Sequence, residues 1–140
     1  PNGVKIMNRE ELVKEFHNAM KLQSDIEMSS QSLRFRLDLI IEEYNEFVTE
    51  VTKANHDIQT LGAVSHDTKV ALAKELADLQ YVISGFAVTF GLPLEAVLER
   101  VHASNMTKVD PDTGHVFVRA DGKILKGPNY KPAELEDLIV

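Results

Sequence analysis

Residues 33–51 read LRFRLDLIIEEYNEFVTEV, and this stretch decides the fold. Leu33, Leu37, Ile40, Tyr44, Phe47 and Val51 recur at steps of three and four, the period of one face of an α-helix. Glu43, Glu46 and Glu50 share an adjoining stripe with Leu39, while Glu42 projects from the other side of Glu46. The spacing predicts a helix over 30–54, followed by a polar loop over 55–66 that contains Gly62.

A second acidic motif, Glu75-Leu76-Ala77-Asp78, falls inside the next predicted helix, 67–90. Leu72, Leu76, Leu79, Ile83, Phe86 and Phe90 make one apolar face there. Ala71, Glu75, Asp78 and Val82 form a second line, so the two acids stand among small or apolar neighbours. A helix apolar nearly all round is expected at the centre of a fold. Carboxylates on such a line are costly unless paired or metal-bound, and no Lys or Arg follows at the next turn. Arg34, Arg36, Lys69 and Lys74 are close enough in sequence for an ion-pair network, the plain alternative. Two like charges about 5 Å apart cost roughly 3 kcal/mol at an effective dielectric near 20. Clustered acids therefore call for cations, and Mg²⁺ suits a few carboxylates together with substrate phosphates.

Outward from these two helices, Asn8 with Glu11 resembles a capping box and opens a helix over 8–21. Gly91 ends the helix over 67–90, and Pro93 suits the first turn of a fourth, 93–106, with Leu94, Val97, Leu98 and Val101 inward. Beyond Lys108, Asp110–Gly114 is a turn cluster and His115–Val118 a short strand. The turn Ala120–Lys123 returns the chain through Ile124 and Leu125, and a last helical turn or two covers 133–139. The expected fold is all-α: one domain over 1–140, an antiparallel bundle of four main helices with a small C-terminal β-hairpin appendage.

Bulk properties narrow the function. The chain has 140 residues, enough for one real core, and its net charge of −7 gives no global support to binding nucleic acid. It has no cysteine, which removes disulfides and thiolate metal sites. The N-terminal Pro1–Lys5 leads into no apolar signal core, and the longest uncharged run, Leu79–Leu94, is broken by Gly91 and Pro93. No membrane association is expected, and the compartment is read as cytoplasmic. The five histidines show no metal-ligand spacing.

Glu-Glu-x-x-Glu at 42–46 and Glu-x-x-Asp at 75–78, 28 residues apart in a small helical chain, resemble the all-α nucleoside triphosphate pyrophosphohydrolases. That superfamily includes MazG-type enzymes, dimeric dUTPases and phosphoribosyl-ATP pyrophosphohydrolase. Ser104–Lys108 and Asp121–Tyr130 are similar to the tails of its small stand-alone members, so the resemblance covers roughly 8–138. It implies Mg²⁺-dependent conversion of a (d)NTP to the monophosphate and pyrophosphate, with Mn²⁺ as a substitute. The leading expectation is nucleotide-pool house-cleaning on dUTP or another dNTP, with phosphoribosyl-ATP as the alternative substrate. Carried over by position, Glu43, Glu46, Glu75 and Asp78 are metal ligands. Glu42 is a further ligand or, with Glu46, the group acting on the attacking water. Asn105, Lys108, Lys123, Lys126 and Tyr130 are substrate contacts, against bland readings as a helix cap, surface lysines and a half-buried tyrosine. A homodimer is expected first and a homotetramer second. A reading from another class is a non-catalytic helical module whose acids hold a structural ion or a basic partner.

Overall fold

The computed structural model describes residues 6–140; the segment Pro1–Lys5, read above for signal character, lies outside them. Four main helices follow in order: α1 Arg9–Ala19, α2 Ser30–Leu61, α3 His66–Phe90 and α4 Leu94–Met106. The chain divides into two compact units, Pro1–Leu92 and Pro93–Val140.

Local chemistry sets the helix ends of the first unit. The Asn8 side chain accepts from the Glu11 amide at 2.9 Å and opens α1. Ser29 and Ser32 cap α2 reciprocally, each side chain accepting from the other's amide at 3.1 and 3.0 Å. Ser65 caps α3 through the Thr68 amide at 3.2 Å. Both α2 and α3 close on a left-handed glycine, Gly62 at φ 80° and Gly91 at φ 65°. The segment joining α1 to α2 docks on the end of α3, where the Asp25 and Ile26 amides donate to the Val88 and Thr89 carbonyls at 3.1 and 2.9 Å. α3 packs against both α2 and α1.

α2 runs seven residues past its expected end, because 55–61 contains no glycine or proline and the first breaker is Gly62. The expected loop shrinks to 62–65. Asp57, expected in that loop, is a buried helical residue whose carboxylate accepts from the Ser65 amide at 3.2 Å. That bond ties the end of α2 to the start of α3.

The side of α2 that meets its neighbour draws on both stripes. Arg36 and Ala54 are buried, and Glu43, Phe47 and Glu50 half-buried, on the side facing α3. Leu37, Ile41, Tyr44, Val48 and Val51 are exposed on the other side. The apolar stripe read from sequence is thus split, with Leu37, Tyr44 and Val51 exposed and Leu33, Ile40 and Phe47 half-buried, while Glu43 and Glu50 of the adjoining stripe are half-buried and Glu46 is exposed.

In the second unit, the expected hairpin is reduced to two isolated antiparallel bridges, Val109–Val116 and Val118–Ile124, with no strand among the described residues. The turn itself forms, with the Gly122 amide donating to the Arg119 carbonyl at 2.8 Å. Its flanks are partly exposed, Val118 at 51% and Ile124 at 42%, and an isolated two-stranded ribbon is marginal in water. The terminal helix contracts to one 3-10 turn, Glu136–Leu138. Arg100 holds that segment by donating to the Glu134 carbonyl at 3.0 Å and by pairing with Asp137 through Nη1 and Nη2. Pro93 precedes α4 as its N-cap residue instead of lying in its first turn. No single helix among the described residues is long and apolar enough to cross a membrane.

Candidate metal centre

Glu43 and Glu46 come from α2, and Glu75 and Asp78 from α3. The short link between these helices folds them back on each other. Each of the four carboxylates offers an oxygen, and the four oxygens lie within 4.8 Å of one another. Three of the residues are half-buried and Glu46 is exposed, so the cluster has a wet side and a dry side.

Charge balance explains why such a cluster needs something more. At 4.8 Å, two carboxylates repel by about 3.5 kcal/mol at an effective dielectric near 20. Among the described residues one cation answers them: Lys74 Nζ lies 2.7 Å from Asp78 and 3.5 Å from Glu75. The bond to Asp78 raises the Lys74 pKa, keeping the ammonium charged. Lys74 thus supplies from the preceding turn the pairing that no residue at the following turn offers. Its side chain is 65% exposed, so it covers the solvent side only. On the dry side, Oε2 of Glu43 and Oε2 of Glu75 are buried with no hydrogen-bond partner. Burial first, then the charges of Glu46 and Asp78, push the Glu43 carboxyl above its ordinary range. Unsatisfied oxygens on several close carboxylates match the donor set of a hard divalent cation. The residues present fit such an ion.

A model of the phosphoribosyl-ATP pyrophosphohydrolase family matches residues 10–105, a span that contains both acidic motifs. The chain belongs to that family. The phosphoribosyl-ATP pyrophosphohydrolase family is part of the all-α NTP pyrophosphohydrolase superfamily, together with MazG-like proteins. It marks the chain as a pyrophosphohydrolase. No curated protein matches it.

The remaining expected site residues have simpler surroundings. Glu42 is exposed on the flank of α2 and is not one of the four clustered acids. Within the second unit, Asn105 is exposed and its carbonyl accepts from the Lys108 amide at 3.1 Å, which closes α4. Lys123 and Lys126 are exposed. The Lys126 ammonium lies 4.9 Å from the centre of the Tyr130 ring, so one face of that ring already carries a cation. Glu50 went unassigned from sequence, yet its Oε2 is also buried without a partner. The signal was there, since Glu50 lies seven residues after Glu43 on the same helical line.

Proposed function

We propose that the four clustered acids hold Mg²⁺ and that the chain releases pyrophosphate from a nucleotide triphosphate group, leaving the monophosphate. The supporting observation is the convergence of Glu43, Glu46, Glu75 and Asp78 with unsatisfied buried oxygens among them. The family match favours phosphoribosyl-ATP as the substrate over the dNTP house-cleaning role expected first. Deoxynucleoside triphosphates form a second reading, favoured by an apolar cavity lined by Leu39 and Val82, one turn from the acids.

A bound magnesium ion would neutralise and orient the triphosphate oxygens and polarise the phosphorus under attack. The chain's own residues do the rest. Glu43, Glu75 and Asp78 fix the anionic pocket from two rigid helices, which keeps donor positions constant. Glu46, the exposed member of the quartet, and Glu42 beside it can orient a water and take its proton as the P–O–P bridge breaks. Water adds to phosphorus, pyrophosphate departs, and one proton is released. With a cation held there, Lys74 would be released from Asp78 and serve as a point charge for a phosphate oxygen.

The exposed side of α2 supports a homo-oligomer. Leu37, Ile41, Tyr44, Val48 and Val51 are exposed at steps of three and four along one side of the helix, and a second copy of this helix would cover them.

The deciding experiment is pyrophosphate release by purified protein with Mg²⁺ from phosphoribosyl-ATP and a panel of NTPs and dNTPs. Turnover of at least one substrate is expected. Asp78→Ala and Glu46→Ala should each lower it more than about 100-fold, beyond the 10–100-fold that supporting residues around a metal cost. Absence of release from every triphosphate, with melting still raised by Mg²⁺, would favour the structural-ion module instead.

A further inference from the structure

A cavity of about 150 Å³ opens among α1, α2 and α3 in the first unit. Phe16, Leu39, Tyr81 and Val82 contribute to its mostly apolar wall. Leu39 lies four residues before Glu43, and Val82 four residues after Asp78. One helical turn, about 6 Å of rise, therefore separates the cavity from the acidic quartet.

Two polar side chains interrupt that wall, His17 and Arg36, and they are 1% and 8% exposed. Among the described residues, no ion pair or hydrogen bond engages the Arg36 guanidinium; its neighbour is the Phe35 ring, 5.3 Å away. Arg36 is buried as a residue, yet none of its guanidinium nitrogens is a sealed atom without a partner, so its donors open onto the cavity, where a ligand can supply the acceptor. Gly85 opens the space in front of both groups. A Cβ built there would stand 3.4 Å from Arg36 Nη1 and 3.8 Å from His17 Nε2. His17 Nδ1 lies 3.0 Å from the Gln23 carbonyl, which can only accept, so Nδ1 carries the proton. Burial, aided by the Arg36 charge, lowers the His17 pKa and favours the neutral ring. Nε2 is then a free acceptor beside a donor fork.

We propose that this cavity is a base subsite for a uracil-type pyrimidine, with Arg36 donating to a ring carbonyl and His17 Nε2 accepting the adjacent ring N–H. This rests on the reading of the quartet as a nucleotide hydrolase and selects the base. The volume agrees, since an apolar cavity of about 150 Å³ accommodates a single benzene-sized ring. Cytosine lacks that N–H, since its N3 turns a lone pair toward Nε2, and on the C4 side it places an amino group where uracil has a carbonyl. The base of phosphoribosyl-ATP is a larger, doubly ribosylated purine. A site built to hydrogen-bond one edge rejects the wrong edge strongly, because its buried groups are left unpaired.

The test separates base binding from turnover. Uridine and cytidine, which carry no phosphate, are titrated into the protein while backbone amide NMR signals are followed. Uridine should saturably shift Gly85 and its neighbours, cytidine should not, and Arg36→Met should remove the response while circular dichroism and Tm stay near wild type. If that variant fails to fold, Arg36→Lys keeps the charge but loses the fork and should still weaken uridine at least tenfold. In turnover, kcat/KM for dUTP should exceed that for dCTP by about 100-fold or more, and the ratio should fall towards one in the variant. Equal responses to the two nucleosides, or none, would overturn the subsite even if phosphoribosyl-ATP is hydrolysed. Selective uridine binding without any pyrophosphate release would uphold it while removing the hydrolase reading.

Discussion

At Glu43, folding moves a carboxyl into a place where its charged form is disfavoured, by burial first and then by Glu46 and Asp78. The sign of the consequence follows from linkage. A carboxyl whose folded pKa lies above its unfolded value of about 4.5 contributes stability that is fully present below that value. This contribution is lost as pH rises through the folded pKa. Without divalent ions, Tm should therefore fall as pH rises through that window, and Glu43→Gln should flatten the profile. The difference between the two proteins isolates this residue from Asp57 and Asp110, whose pKa values are lowered and act oppositely. Mg²⁺ should reverse the trend, because ion binding needs the deprotonated form. A wild-type and variant pair with identical profiles in chelator would contradict the account.

At the scale of elements, α2 is the longest helix, and its end depends on one backbone conformation. Gly62 sits at φ 80°, and a Cβ there meets nothing within 4 Å. Gly62→Ala thus changes only backbone strain and should cost about 1 kcal/mol in urea unfolding. The length of α2 was hidden in the sequence for a definable reason. Polar residues 55–60 look like loop by composition, yet nothing among them interrupts a helix, and buried Asp57 gives the added turn a tertiary anchor. The C-terminal segment shows the reverse. Its turn was legible, because Asp121-Gly122 is strong turn chemistry. Strands did not extend from it, because strand length depends on a covered face that local sequence does not report.

For the whole molecule, the open apolar face of α2 gives the clearest expectation. Val48 is 40% exposed there. Val48→Asp places a charge in the middle of the proposed contact between copies. It should lower the mass measured by light scattering to that of one chain, 15.7 kDa. A wild-type protein already at that mass would remove the oligomer. The acidic quartet lies within one chain, so loss of assembly alone should leave Mg²⁺-dependent melting in place.

The sequence by itself determined the helical character, both acidic motifs and their pairing, because periodicity and like-charge repulsion act over three to seven residues. It also carried the family, through the motifs at 42–46 and 75–78. The rest belonged to three dimensions: which members of each α2 stripe are covered, that Lys74 reaches Asp78, and that Arg36, His17 and Gly85 meet around one cavity. A stripe's hydrophobicity says that it will be covered, but not whether the cover is the same chain or another copy. Rotating α2 so that Glu43 and Glu46 meet Glu75 and Asp78 of α3 sets like charges together, and Lys74 reaches two of them from α3. That choice depends on groups from three helices at once, which no single stretch of sequence contains.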